Sequence, residues 1–151
     1  MLTVQEETAR QDEVARLLQQ SDSLAALLYP NAYRRPLNPD SLSAPGIQLF
    51  VARQDSVAAG CCALFDCGDA KAELKRMIVD KDFRHQGVGA ALLRAVEAAA
   101  FEKGIRLIQM EVGVKNTDGY ALYTRAGYKE RGPFGSYKPS PISRFLEKSL
   151  G

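Results

Sequence analysis

The sequence predicts a mixed α/β fold, a mostly antiparallel sheet of about six or seven strands with helices on both faces. Two observations predict it. Short runs of β-compatible residues bounded by turn residues recur along the chain, beginning with a meander in the first half. Over residues 72–103, a strand, a glycine-bearing turn and a helix then come one after another without a gap. A meander that leads into strand–helix–strand makes a mixed sheet with helices packed on its faces.

Taken in order, residues 2–5 read as a first strand, and Thr8 is a candidate cap for the helix after it. Over residues 9–29, Val14, Leu17, Leu18, Leu24, Leu27 and Leu28 recur at helical spacing. Ser21 or Asp22 would start a second helical piece if the helix breaks over residues 20–23, and Pro30 closes the region. Residues 31–46 hold three prolines and a glycine with no period, which reads as a loop. Residues 47–53 and 57–65 read as strands of a hairpin turning at 54–56, with Gly60 marking a bulge. Residues 66–69 turn into the strand at 73–79. Val88, Leu92, Ala95, Val96, Ala99 and Ala100 form one face of the main helix, which Gly104 ends. A strand over 105–112, a helix over 117–125, a short strand over 128–131, an irregular loop and a last strand over 143–148 complete the chain. Asn116 or Thr117 would cap that helix.

The 151 residues suit a single domain, 1–151, with one core. A net charge of +2 is too small to argue for nucleic acid or a membrane surface as a partner. No apolar run approaches the ~20 residues of a membrane-spanning helix. The first residues lack a basic start followed by an apolar block, so no signal peptide is expected. Cys61, Cys62 and Cys67 read as reduced core thiols of a cytoplasmic protein. His85 is the only histidine and no ligand spacing fits, so no metal is expected.

The junction at residues 80–90 suits an anion. The first amides of a helix lack intrahelical partners, and together they carry partial positive charge. Gly87 and Gly89 let a phosphate approach the backbone. Arg84 and His85 add donors, and Lys81 adds charge. The stretch differs from the dinucleotide fingerprint, which needs Gly-x-Gly-x-x-Gly and an acidic residue about 20 positions on, and no Gly-Lys-Ser/Thr ending completes a triphosphate loop.

Arg84-x-x-Gly87-x-Gly89, after a strand and opening a helix, resembles the central motif of the GCN5-related N-acetyltransferases, the GNAT superfamily. A second stretch agrees in order and spacing: Asn116, then Ala121-Leu122-Tyr123, then Gly127-Tyr128. The resemblance covers about residues 74–128 and implies the acyl-CoA N-acyltransferase (GNAT) fold and an acetyl-CoA-dependent N-acetyltransferase. It implies that Arg84, His85, Gln86, Gly87, Val88, Gly89 and Ala90 hold the pyrophosphate of acetyl-CoA, the acyl-donor substrate. Met77, Ile78 and Val79 would offer main-chain amides to the pantetheine and the developing oxyanion, and Asn116 would touch the CoA arm.

Direct acyl transfer needs an amine stripped of its proton, a donor for the oxyanion and an acid for the leaving thiolate. Tyr123 matches the family's acid, and the motif context favours that role over a core aromatic of an amphipathic helix. Two carboxylates compete for the base. Glu73 stands where some members keep a catalytic glutamate, and Glu111 stands where members that acetylate ribosomal-protein N-termini keep theirs. Either also reads as a strand-end charge in solvent or as one arm of a salt bridge, for instance with Lys75 or Arg76. Tyr33, Arg34 and Arg35 are candidates for an acceptor-pocket wall that meets a substrate carboxylate, or for a solvated connector. The run Gly132-Pro133-Phe134-Gly135-Ser136-Tyr137 resembles a subgroup of small bacterial acetyltransferases, with Tyr137 read as packing ahead of a place in the acceptor pocket. The expected acceptor is a primary amine on a small metabolite, such as an amino acid. A protein N-terminus or lysine is the enzyme alternative, and a non-catalytic acyl-CoA sensor is the alternative of another class. Pairing of edge strands would make a homodimer.

Overall fold

The computed structural model describes residues 1–29 and 39–151. Tyr33, Arg34 and Arg35, the candidates for the acceptor wall, lie outside the described residues. The elements run β1 (Leu2–Glu6), α1 (Asp12–Leu28), β2 (Ile47–Gln54), β3 (Val57–Gly68), β4 (Lys71–Val79), α2 (Val88–Glu102), β5 (Leu107–Gly113), α3 (Thr117–Arg125), β6 (Lys129–Arg131) and β7 (Ser143–Ser149). Short 3₁₀ turns cover Pro39–Ser43 and Lys81–Phe83.

All seven described strands join one sheet in the order β1-β2-β3-β4-β5-β7-β6. Every neighbouring pair is antiparallel except β4 and β5. That parallel pair is joined by the crossover helix α2, as parallel neighbours require. The period of two along a strand divides the core between the two faces. Leu49, Val51, Cys61 and Ala63 meet Val14, Leu17 and Leu18 of α1 on one face. Phe50, Ala52, Cys62 and Leu64 meet Leu92, Leu93 and Val96 of α2 on the other, with Tyr123 of α3 beside them.

The adjacent thiols Cys61 and Cys62 therefore point to opposite faces, and burial pushes the Cys61 thiol up to about 12. Cys67 departs from the expected core position and is exposed. It is the extra residue where β3 shifts register against β4 near the hairpin end.

Both hairpin turns are two-residue loops with consecutive left-handed residues, Asp55-Ser56 and Asp69-Ala70. β3 runs to Gly68, so residues 66–68, expected in the turn, continue the strand. The expected bulge lies beside Gly60, where Ala59 is the extra residue opposite Ala52 and Arg53.

α1 is a single helix, with no break over residues 20–23. Its buried stripe of Val14, Leu17 and Leu18 continues in register through Leu24 and Leu28. Ser21, Asp22 and Ser23 each cost only roughly 0.5 kcal/mol relative to the best helix formers, too little to break a helix already anchored by the buried turn before them. Thr8 does not cap the helix. Its hydroxyl accepts from the Arg10 N–H, and the N-cap is Gln11. Within the loop expected over residues 31–46, Pro39–Ser43 forms a turn that delivers Leu42 to the core. No described helix is long and apolar enough to cross a membrane.

Candidate active site

The loop before α2 is shaped by its own hydrogen bonds. Asp80 is nearly buried and accepts from the Asp82 N–H at 2.9 Å, which starts the 3₁₀ turn. The Arg16 guanidinium reaches across from α1 to the same carboxylate at 2.6 Å. Burial raises the pKa of Asp80, but Arg16 and the Asp82 amide more than offset this and hold it below the usual carboxylate range.

Gly87 is the N-cap of α2, in the left-handed region at φ 81°. It has no side chain to satisfy the helix end, and no acidic residue occupies the first turn. The first helical amide to bond back is that of Ala91, onto the Gly87 carbonyl at 3.0 Å. The N–H groups of Val88, Gly89 and Ala90 are thus left for a ligand.

These amides open on a cleft of about 650 Å³. Met77, Ile78 and Val79 form one wall, Arg84, His85 and Gly87 through Ala90 the loop wall, and Asn116 and Tyr123 the opposite side. Of the residues expected to bind the donor, only Gln86 is turned away, donating to the Asp82 carbonyl instead. Asn116 caps α3 by accepting from the Gly119 N–H at 3.0 Å, and it also lines the cleft. Leu24 and Leu28 of α1 reach the cleft as well. The Lys115 N–H donating to the Tyr29 hydroxyl at 2.8 Å pins the end of α1 there.

The Tyr123 ring is buried, edge-on to Tyr128 at 6.2 Å between centroids. Burial pushes its phenol above the usual tyrosine range, so it holds its proton at neutral pH. Among the described residues, no hydrogen-bond partner meets its hydroxyl. No buried side-chain polar atom goes unsatisfied either, so that hydroxyl keeps contact with the open space of the cleft.

The β4–β5 pairing stops early. Lys71, Ala72 and Glu73 pair with Leu107, Ile108 and Gln109, and beyond Glu73 the two strands part. β4 then carries an extra residue between its pairings with Ala63 and Cys61, and Arg76 there has φ 62°. β5 instead pairs along its whole length with β7. The edge of β4 facing β5 is therefore unpaired where Met77, Ile78 and Val79 line the cleft.

Glu73, Gln109 and Glu111 share the face of the sheet that carries α1, opposite to α2, and none of the three lines the cleft. Glu73 lies within β4, only 8% exposed, rather than at a strand end in solvent. The Tyr137 hydroxyl donates to its carboxylate at 2.5 Å, and Lys75 Nζ stands 3.8 Å away. Burial first, and then the bond to Glu73, pushes the Tyr137 phenol well up. Glu111 is exposed within β5 and accepts from the Ser143 hydroxyl at 2.6 Å. Tyr137 is thus more than packing, although its ring does pack against Phe134 and Phe145. Sixty-four residues separate Tyr137 from Glu73, so no local spacing signalled the bond. Among the described residues, no group of three or more His, Cys, Asp or Glu side chains gathers as a metal site would.

The Acetyltransferase (GNAT) family model matches residues 12–128. The IAA acetyltransferase of Azospirillum brasilense is 35% identical over 150 residues, spanning 99% of this chain and 98% of that protein. The chain belongs to the GNAT acetyltransferase family. A Klebsiella pneumoniae structure assigned as an acyl-CoA N-acyltransferase superposes with a TM-score of 0.84 at 29% identity, over 100% of this chain and 99% of that one. The PaiA N-acetyltransferase of Thermoplasma acidophilum, solved in complex with coenzyme A, shares the fold. Its TM-score is 0.75 at 20% identity, over 99% of both chains. As a GNAT enzyme, the protein is an N-acetyltransferase whose acyl donor is acetyl-CoA. The uncapped amides, the cationic loop and the parted strands of this GNAT chain fit an extended thioester donor with a pyrophosphate.

Proposed function

We propose that this acetyltransferase moves the acetyl group of acetyl-CoA to a primary amine of a small metabolite, directly and across the gap between β4 and β5. The parting of β4 from β5 after Glu73 carries this reading. The unpaired edge of β4 begins directly after Glu73, so the cleft lined by Met77, Ile78 and Val79 and the Glu73–Tyr137 pair adjoin along one strand.

In this reading, the amides of Val88, Gly89 and Ala90, with Arg84 and His85, hold the pyrophosphate. The unpaired edge of β4 at Met77, Ile78 and Val79 holds the pantetheine and supplies an N–H to the oxyanion. Asn116 orients the CoA arm. Glu73 takes the proton that the ammonium must lose, with Glu111 the second carboxylate on the same face. The amine nitrogen bonds to the thioester carbon, the carbon–sulfur bond breaks, and Tyr123 gives its proton to the departing sulfur. The proton taken by Glu73 returns to solvent, and the second proton, lost by the nitrogen as the carbon–sulfur bond breaks, replaces through water the one Tyr123 gave up, so the products are the amide, free CoA thiol and one proton.

The test is release of CoA thiol from acetyl-CoA with amino acids, polyamines, aminoglycosides and short peptides at pH ~8, where more amine is uncharged. Release that depends on a small amine is expected. Release with peptides alone overturns the small-metabolite acceptor in favour of a protein N-terminus or lysine.

A further inference from the structure

Among the described residues, no carboxylate pairs with Arg76. Arg76 sits at the extra residue of β4, in a left-handed backbone conformation that residues other than glycine seldom take. Its three successors, Met77, Ile78 and Val79, line the donor cleft, and Arg76 does not. The bulge turns it the other way, where its charge acts on the Tyr137 hydroxyl. It is half-buried, yet among the described residues it makes no hydrogen bond or ion pair. Arg16, Arg53, Arg131 and Arg144 all hold carboxylates.

The surroundings of Arg76 divide by charge. Tyr137 has Glu73 on its hydroxyl, and both Glu111 and Arg76 act on it electrostatically. Gln109, in register with Glu73, is 6% exposed and bonds through its side chain to no described residue. Its amide still touches open space, since no fully enclosed polar atom lacks a partner among the described residues. Glu73, with Tyr137 bonded to it and Gln109 in register beside it, lies three residues before Arg76 on the same strand, and a carboxylate so close along β4 to a guanidinium matches a ligand that carries an amine and an acid. A guanidinium fork binds a carboxylate through two parallel N–H donors.

We propose that Arg76 holds the carboxylate of the acceptor while Glu73 receives the proton of its amine, so that the acceptor is an amino acid. This rests on the acetyl-transfer reading above and names the substrate class of the same site. The left-handed turn at Arg76 would then serve two ends. It frees the edge of β4 for the donor, and it swings the guanidinium to the acceptor side.

The experiment measures kcat/KM for amino acids against their carboxamides and the corresponding decarboxylated amines, in wild type, Arg76→Gln and Arg76→Lys. The wild type is expected to prefer the acid. Arg76→Gln is expected to lower the acid-to-amide ratio about 10–100-fold, the scale of a charge-assisted bond. Arg76→Lys is expected to keep part of the ratio, and KM for acetyl-CoA reports that each variant is folded. A merely structural role would lower acid and amide rates together, which overturns the proposal. Carboxamides turned over by the wild type as well as the acids overturn it also, while leaving acetyl transfer intact. Silence with every amine overturns the acetyl-transfer reading and this proposal with it.

Discussion

Gly89 and Leu122 touch across the donor cleft so closely that a Cβ on residue 89 would stand 2.7 Å from Leu122 Cδ2. The first turn of α2 and the middle of α3, the two walls of the cleft, are seated on each other at this point. The glycine required by the loop motif therefore also sets the spacing of the walls. Gly89→Ala should push Leu122 aside, cost about 1–3 kcal/mol of stability as overpacking does, and weaken acetyl-CoA binding. Because the obstacle is the end of a side chain, Leu122→Ala should restore part of both losses in the double variant. Calorimetric titration of acetyl-CoA with the four-member cycle checks this, and strictly additive effects would refute the coupling.

Tyr123→Phe removes one oxygen from a ring that is otherwise packed in the core. Since no described residue bonds that hydroxyl, thermal stability should hardly change. Turnover should fall about 10²-fold if the phenol protonates the leaving thiolate. The affinity for acetyl-CoA should stay within about twofold, since only a transition-state contact is lost. A variant with wild-type kcat would reduce Tyr123 to packing.

Glu73 and Glu111 differ in surroundings enough to separate their roles. Glu73 is buried and bonded by Tyr137, whereas Glu111 is exposed and bonded by Ser143. Glu73→Gln should lower kcat/KM for the amine about 10²-fold or more, in the range of a lost general base. Glu111→Gln should lower it by less than tenfold, the exposed carboxylate being replaceable by water. The reverse order would move the base to Glu111.

Arg16 and Asp80 tie α1 to the loop before α2, so their pair should report on the stability of the donor site. Arg16→Gln should cost roughly 1–3 kcal/mol near neutral pH, because a nearly buried carboxylate loses its cation. The folded-state pKa of Asp80 is lowered, so the stability it contributes is present above the unfolded value near ~3.9 and is lost as pH falls through the folded one. The gap in Tm between wild type and variant should therefore be full at neutral pH and should close in acid. Thermal unfolding followed from neutral pH down into the acid range measures it. A gap that stays constant would mean that the pair is not what Arg16 contributes.

The sequence by itself determined the order and kind of the elements, the glycine-bearing loop before α2 and, to within one residue, the cap of α3. Each of these is written in residues close together along the chain. Apolar spacing marks α2, Gly87 and Gly89 mark its N-terminus, and Asn116 reaches only as far as Gly119. The stripe of α1 was equally local, and the break expected over residues 20–23 failed because the weak helix formers there cost too little to interrupt a helix anchored by Val14, Leu17 and Leu18. Only the tertiary structure decided where β4 leaves β5, since pairing depends on which strand lies alongside. β5 pairs with β7 along its whole length on one edge, while on its other edge β4 stays alongside only as far as Glu73. The left-handed backbone at Arg76 was invisible for the same reason, because it comes from the register of β4 on β3. The bond from Tyr137 to Glu73 joins a late loop to a central strand, and a contact of that separation exists only once the chain has folded.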